Sequence, residues 1–196
     1  MSNSAYLEVI LGGMYAGKTS RLIEIYKKCN FCNIPVAVIN HSIDKRYDET
    51  LLSTHDKQKI PCIQTDSLLD LVTDFIPLDD ENGVNQLQRN QYKVMTSEVI
   101  LINEGQFFAG LVEFVNKMLK YDKKVYVCGL DGDFQRNKFG DILDLIPMCD
   151  KVTKLTSLCA LCKDGTPGIF TKRTTNDVQQ TLVGSDIYIP VCRKCY

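Results

Sequence analysis

The run Gly12-Gly13-Met14-Tyr15-Ala16-Gly17-Lys18-Thr19 fits the pattern G-x-x-x-x-G-K-[ST], and it constrains this chain more than any other segment. Each fixed residue answers a chemical need. Glycines let successive backbone N–H groups turn inward around phosphates, and the positive end of a following helix adds to the attraction. A lysine in the position of Lys18 reaches β- and γ-phosphates, and a hydroxyl in the position of Thr19 sits on Mg²⁺. A glycine-rich turn capping an ordinary helix is the competing account, and the surroundings weigh against it. Tyr6–Leu11 is a short apolar run that reads as a buried strand before the loop. Leu22, Ile25, Tyr26 and Cys29 fall at i, i+3, i+4 and i+7 of an amphipathic helix opening near Lys18.

The rest of the chain continues this alternation. Val36–Asn40, Val99–Asn103 and Val125–Gly129 read as strands, and Leu111, Phe114, Val115 and Met118 repeat the helical spacing. Ser67–Phe75 reads as a helix with Ser67 at its N-cap and Asp70 at its third position. The segment Ile76–Ser97, with Pro77, Asn82, Gly83 and many polar residues, reads as an exposed loop with a short helix inside. Alternating strands and helices over residues 1–150 predict an α/β core with a parallel sheet covered by helices. From Lys151 onward, strand-like pieces mix with Cys pairs, Gly and Pro, so a second, smaller domain is expected over residues 151–196.

Cysteine usage defines that second part. Cys159-x-x-Cys162 and Cys192-x-x-Cys195 are two pairs with residues 163–191 between them, and four thiolates around one ion favour a closed, structural zinc site. Cys29-x-x-Cys32 is a third such pair, but Cys29 lies on the apolar face of the first helix and reads as core packing, as do Cys62, Cys128 and Cys149. The first residues lack the basic and apolar blocks of a secretory signal, and no run approaches the roughly 20 apolar residues of a membrane span. An intracellular protein with reduced thiols is the expectation. The formal net charge of −1 offers no general attraction for nucleic acid or an anionic membrane.

Two further segments carry chemistry. Glu104 follows the strand Val99–Asn103, and ligands of open α/β sheets sit at the carboxyl ends of strands. A carboxylate there is placed to take a proton from an attacking hydroxyl. Asp44-Lys45-Arg46-Tyr47 follows the second strand and reads either as a solvated turn or as the source of an arginine near the phosphates. His41 and His55 are the only histidines, and no serine or cysteine beside them suggests a nucleophilic triad.

Taken together, these segments resemble the type II thymidine kinases, the cytosolic cellular enzymes and their relatives in large DNA viruses. The resemblance covers most of the chain. It rests on Gly12–Thr19, Asp44-x-Arg46-Tyr47, Thr54-His55-Asp56, Glu104-Gly105-Gln106-Phe107-Phe108, Leu130-Asp131-Gly132-x-Phe134-Gln135-Arg136, Thr171-Lys172-Arg173, Tyr188 and both cysteine pairs. The end of the chain at Tyr196 is similar to the viral members. The resemblance implies a RecA-like core with a small zinc domain whose lasso-shaped loop covers the nucleoside. It implies a reaction of ATP and thymidine, with dTTP as feedback inhibitor, in a cytoplasmic homotetramer (host cytoplasm for a viral member).

The same resemblance implies roles for individual residues. Glu104 is the base, Arg46 clamps the reacting oxygens and Lys18 holds phosphate. Gly12, Gly13, Met14, Tyr15, Ala16, Gly17, Lys18 and Thr19 bind ATP, with Asp44, Asn103 and Gln106 beside them. Met14, Phe107, Leu130, Phe134 and Thr171 wall the thymine pocket, and Gln179, Gln180, Thr181, Leu182, Val183 and Tyr188 form the lasso side. Zinc falls to Cys159, Cys162, Cys192 and Cys195. The family carries Asp where this chain has Asn103, which leaves Mg²⁺ more to ATP and Thr19.

Overall fold

The apolar runs pair into one six-stranded parallel sheet in the computed structural model of the chain, which describes residues 4–43, 51–53, 58–73, 85–182, 184 and 187–196. In chain order the strands are β1 (Tyr6–Leu11), β2 (Val36–His41), the hairpin strands β3 (Leu51–Ser53) and β4 (Lys59–Pro61), β5 (Ile63–Thr65), β6 (Val99–Ile102), β7 (Lys124–Gly129) and β8 (Lys151–Lys154). Helices α1 (Lys18–Phe31), α2 (Gln86–Thr96) and α3 (Leu111–Lys120) lie between them. The sheet order is β5-β2-β6-β7-β1-β8, with every neighbouring pair parallel.

Strand alternation splits the core into two layers. Leu7, Val9, Ala37, Ile39, Ile100, Ile102, Val125 and Val127 face α3, Val94 of α2 and the 3₁₀ segment Ile142–Met148. Ile10, Val38, Leu101 and Cys128 face Leu22, Ile23, Ile25 and Cys29 of α1, with Leu52 and Ile60 of the hairpin. Cys29 thus packs as a small apolar side chain.

One expectation is corrected. Ser67–Phe75 forms no α-helix among its described residues; only Leu69–Leu71 makes a 3₁₀ turn, and Val72 is already extended. Leu68 and Leu71, three apart, are the two residues that bury, which suits a single tight turn. The Thr65 hydroxyl, not Ser67, organises the entry, accepting from the Ser67 N–H at 3.1 Å. The short helix expected inside Ile76–Ser97 is α2, 11 residues long, in the second half of that segment, and residues 76–84 lie outside the described part. A capping box starts it: the Asn85 side chain accepts from the Gln88 N–H at 2.9 Å, and the Gln88 side chain accepts from the Asn85 N–H at 3.0 Å. Polar residues cover its exposed faces, which is why its bounds do not show in the apolar pattern.

The other end of α2 is held by a buried cation. Lys123 is 6% exposed, and its ammonium donates to the carbonyls of Met95 at 2.8 Å and Ser97 at 2.5 Å. Burial pushes its pKa down, while these carbonyls sit where a helix C-terminus favours positive charge. Lys123→Met should therefore destabilise the fold by about 2–4 kcal/mol, because one buried and one part-buried acceptor lose their donor. Urea unfolding would show a lower midpoint with an unchanged slope.

At the far edge, β8 joins the sheet through Glu8, which is buried on β1. Burial pushes that carboxyl up, but Thr153 (2.7 Å), Lys151 (3.3 Å) and Tyr6 (3.2 Å) together hold it below the usual carboxylate range. After β8 come two small antiparallel pairs, β9 (Ser157–Leu158) with β10 (Pro167–Gly168) and β11 (Phe170–Arg173) with β12 (Tyr188–Val191). Among the described residues, no helix is long and apolar enough to cross a membrane.

Candidate active site

The carboxyl ends of β1, β2, β6 and β7 open onto a cavity of about 340 Å³, with β11 and β12 across from them. The phosphate loop forms its floor, contributing Met14 through Ser20. Gly17 has φ +84°, a left-handed conformation open to glycine, and it starts α1 directly behind the loop. The Lys18 ammonium folds back to the Gly13 carbonyl at 2.7 Å. The Met14 N–H donates to the Thr171 hydroxyl at 2.9 Å, which pins the loop to β11. A side chain at Gly13 would meet that hydroxyl at 3.0 Å, so glycine permits the contact.

Glu104 faces the same cavity from the end of β6. Its backbone is left-handed, φ 55° and ψ 41°, which is uncommon for a residue with a side chain and typical of functional sites. Gln106 holds its carboxylate. The Gln106 amide nitrogen donates to Glu104 Oε2 at 2.7 Å, and its oxygen accepts from the Leu130 N–H at 2.9 Å. The backbone N–H can only donate, so the orientation of the amide is fixed. Gln106 is buried and stands behind Glu104 rather than in the cavity wall.

Under the loop runs a chain of neutral polar groups. The Thr19 hydroxyl reaches Asn103 Oδ1 at 3.4 Å, Asn103 Nδ2 donates to Asn40 Oδ1 at 2.7 Å, and Asn40 Nδ2 donates to Gln64 Oε1 at 3.2 Å. The Cys128 thiol, pushed up to about 12 by burial and then by Glu104, stays protonated and donates to Asn103 Oδ1 at 3.0 Å. Asn103 Oδ1 thus takes two contacts and Nδ2 donates one bond, and the side chain carries no charge of its own toward a cation.

Aromatic rings make the opposite wall. Phe107 is braced edge-on by Phe139 (centroids 5.4 Å apart) and by His41 at 5.6 Å. Burial pushes the His41 pKa down, and its Nδ1 accepts from the Ile43 N–H at 3.0 Å. His41 thus acts as a neutral packing residue, not a nucleophile's partner.

Of the substrate residues expected from sequence, Met14, Phe107, Leu130, Phe134, Thr171, Gln180, Thr181, Leu182 and Tyr188 all line this one cavity. Gln179 does not line it, and Val183 lies outside the described residues, as do Asp44, Arg46 and the Thr54-His55-Asp56 segment. Gly13 borders a smaller neighbouring pocket, and Gly12 lines neither. Sequence reasoning missed Asp133, whose Oδ2 accepts from Gln180 Nε2 at 2.9 Å while its Oδ1 caps the turn at Gln135 and Asn137. Its place in the Leu130–Arg136 motif was the available signal.

The four expected zinc ligands do converge. The sulfurs of Cys159, Cys162, Cys192 and Cys195 lie within 4.8 Å of one another. Zinc–thiolate bonds of about 2.3 Å imply sulfurs about 3.8 Å apart on a tetrahedron. Cys162 lies 3.7 Å from Cys192 and 3.4 Å from Cys195. Backbone N–H groups of Cys162 and Cys192 point at the Cys159 sulfur and, with the first the larger influence, draw its pKa down to about 6. The donor set fits a zinc ion.

A parallel sheet ending in a lysine-bearing phosphate loop, faced by a carboxylate and roofed by a separate loop, defines a P-loop kinase acting on a small molecule. Comparison with known proteins narrows the class. The sequence model of the family described as "Thymidine kinase" matches residues 5–196. The chain is 39% identical to thymidine kinase of Oryza sativa subsp. japonica over 97% of its own length and 65% of the rice protein. It is 36% identical to thymidine kinase of Sheeppox virus (strain KS-1), over 97% of this chain and 96% of the viral one. Variola virus thymidine kinase is also 36% identical, over 99% and 98%. The chain belongs to the thymidine kinase family.

Proposed function

We propose that this chain transfers the γ-phosphate of ATP to the 5′-hydroxyl of thymidine. The observation that carries the reading is the meeting of Lys18 and Glu104 at one cavity whose lining also holds the aromatic side chains of Phe107, Phe134, Phe139 and Tyr188. Backbone N–H groups of the loop and the Lys18 ammonium balance charge on the phosphates. Glu104, steadied by Gln106, takes the proton of the hydroxyl as it attacks, and the bond from the γ-phosphorus to the β–γ bridging oxygen breaks. The proton ends on the carboxylate, the γ-phosphoryl on the sugar oxygen, and ADP leaves with the bridging oxygen and its electron pair. Phe107, Phe134 and Tyr188 offer faces and edges against which a pyrimidine packs. Mg²⁺, held by the Thr19 hydroxyl and the phosphates, would supply charge neutralisation on the transferred group. By family resemblance, Arg46 would clamp the reacting oxygens and Asp44 would help to position them.

Zinc at the four cysteines would tie both ends of the covering loop, and residues 151–196 would act as a substrate-closing domain on the core of residues 1–150. A cytoplasmic homotetramer inhibited by dTTP is part of the same proposal, supported by family membership. The test is a panel of thymidine, deoxyuridine, deoxycytidine and deoxyadenosine with ATP and Mg²⁺. Thymidine monophosphate should form fastest, and preference for a purine nucleoside would sink the assignment.

A further inference from the structure

We propose that Arg173 is a positioning residue that fixes the covering loop over the nucleoside and thereby sets which base is accepted. The proposal rests on the reading that the cavity binds a nucleoside. Arg173 ends β11 opposite Tyr188 of β12, and it is 7% exposed. Its two terminal nitrogens carry four N–H bonds, and four acceptors meet them. One nitrogen donates to the carbonyls of Asp177 at 2.8 Å and Gln179 at 2.5 Å; the other donates to the carbonyl of Gln180 at 3.2 Å and the Tyr188 hydroxyl at 2.5 Å. That hydroxyl passes the hold on, donating to the Leu182 carbonyl at 3.2 Å. One guanidinium therefore fixes four points of the loop backbone.

The same group sets the aromatic walls. Its central carbon lies 3.8 Å from the Phe134 ring centroid and 5.1 Å from that of Tyr188, and both rings line the cavity. The arrangement carries a cost, because Nε is buried with no partner. A side chain kept in place against that cost, with three of its four bonds to one loop, holds the loop rather than a neighbouring helix or strand. A planar fork is required: a lysine ammonium keeps the charge but cannot span carbonyls of residues 177, 179 and 180 together. A base contacted through this loop is read correctly only when the loop sits at one height above the phosphate floor.

The test compares Arg173→Lys and Arg173→Met in the full-length enzyme, with KM and kcat measured for thymidine, deoxycytidine and ATP. Arg173→Met should raise the KM for thymidine by about tenfold or more and narrow the preference for thymidine over deoxycytidine. The kcat at saturation and the KM for ATP should change less than about threefold, and Arg173→Lys should recover part of the loss. Hydrogen exchange should rise at residues 177–182 and stay unchanged in β1 and β6. Wild-type KM and selectivity in both variants would overturn the proposal, as would losses in both substrates that simply follow a lower melting temperature. A wild-type enzyme inert on every nucleoside would remove the functional reading and this proposal with it, whereas an active wild type beside indifferent variants removes this proposal alone.

Discussion

Glu104→Gln should lower kcat by about a hundred- to ten-thousand-fold, the range that a positioned general base supplies. The substitution keeps the shape of the side chain and an oxygen that can still accept from Gln106 Nε2, now 2.7 Å from Glu104 Oε2. It removes only the capacity to take a proton at working pH. The KM values for ATP and thymidine should therefore stay within about threefold, which is the signature of an interaction made in the transition state. Single-turnover kinetics give the cleanest measure, since they isolate the chemical step from product release. A variant with near-normal turnover would show that the left-handed Glu104 is strained for some other reason. The effect should exceed that of Asn103→Ala, because Asn103 faces Thr19 and Asn40 rather than the cavity.

Much of this site is legible in sequence because its parts are local. The phosphate loop needs its residues side by side, so Gly12–Thr19 declares both chemistry and context, and β1 and α1 fall where the apolar run and the helical spacing put them. The cysteine pairs are legible for the same reason: two thiolates at fixed spacing bind one ion. What stayed hidden depends on contacts far apart in the chain. Gln106 reads as one more polar residue near the nucleotide, and its place behind Glu104 becomes visible only when β7 brings the Leu130 N–H to its side-chain oxygen. Arg173 enters the sequence reading only as part of Thr171-Lys172-Arg173, and its grip on the carbonyls of residues 177, 179 and 180 becomes visible only when the loop folds over it. The bounds of the helix Gln86–Thr96 escaped because its sole buried residue is Val94, so no apolar stripe marks them. Its capping box, Asn85 with Gln88, was written in the sequence but stood before a polar run instead of an apolar one.

Removing the zinc proposed for Cys159, Cys162, Cys192 and Cys195 should abolish nucleoside capture while leaving the sheet folded. The small module has little else to hold it: its buried core is Cys159, Val191 and Cys192, with Phe170, Ile189 and Tyr196 packed alongside. So few apolar side chains cannot offset the ordering entropy of some forty residues, so the ion's binding free energy becomes the module's folding free energy. The six-stranded sheet has two apolar layers of its own and does not depend on the ion. Cys162→Ser should therefore release zinc, raise the KM for thymidine by about a hundredfold and increase hydrogen exchange through β11 and β12, while exchange in β1 and β6 stays slow. Nucleotide binding should weaken less, since the module touches the phosphate loop through the Met14–Thr171 bond. Elemental analysis of the purified wild type should find about one zinc per chain. A wild type without bound metal, or a Cys162→Ser variant that binds thymidine normally, would show that packing alone carries the roof of the cavity.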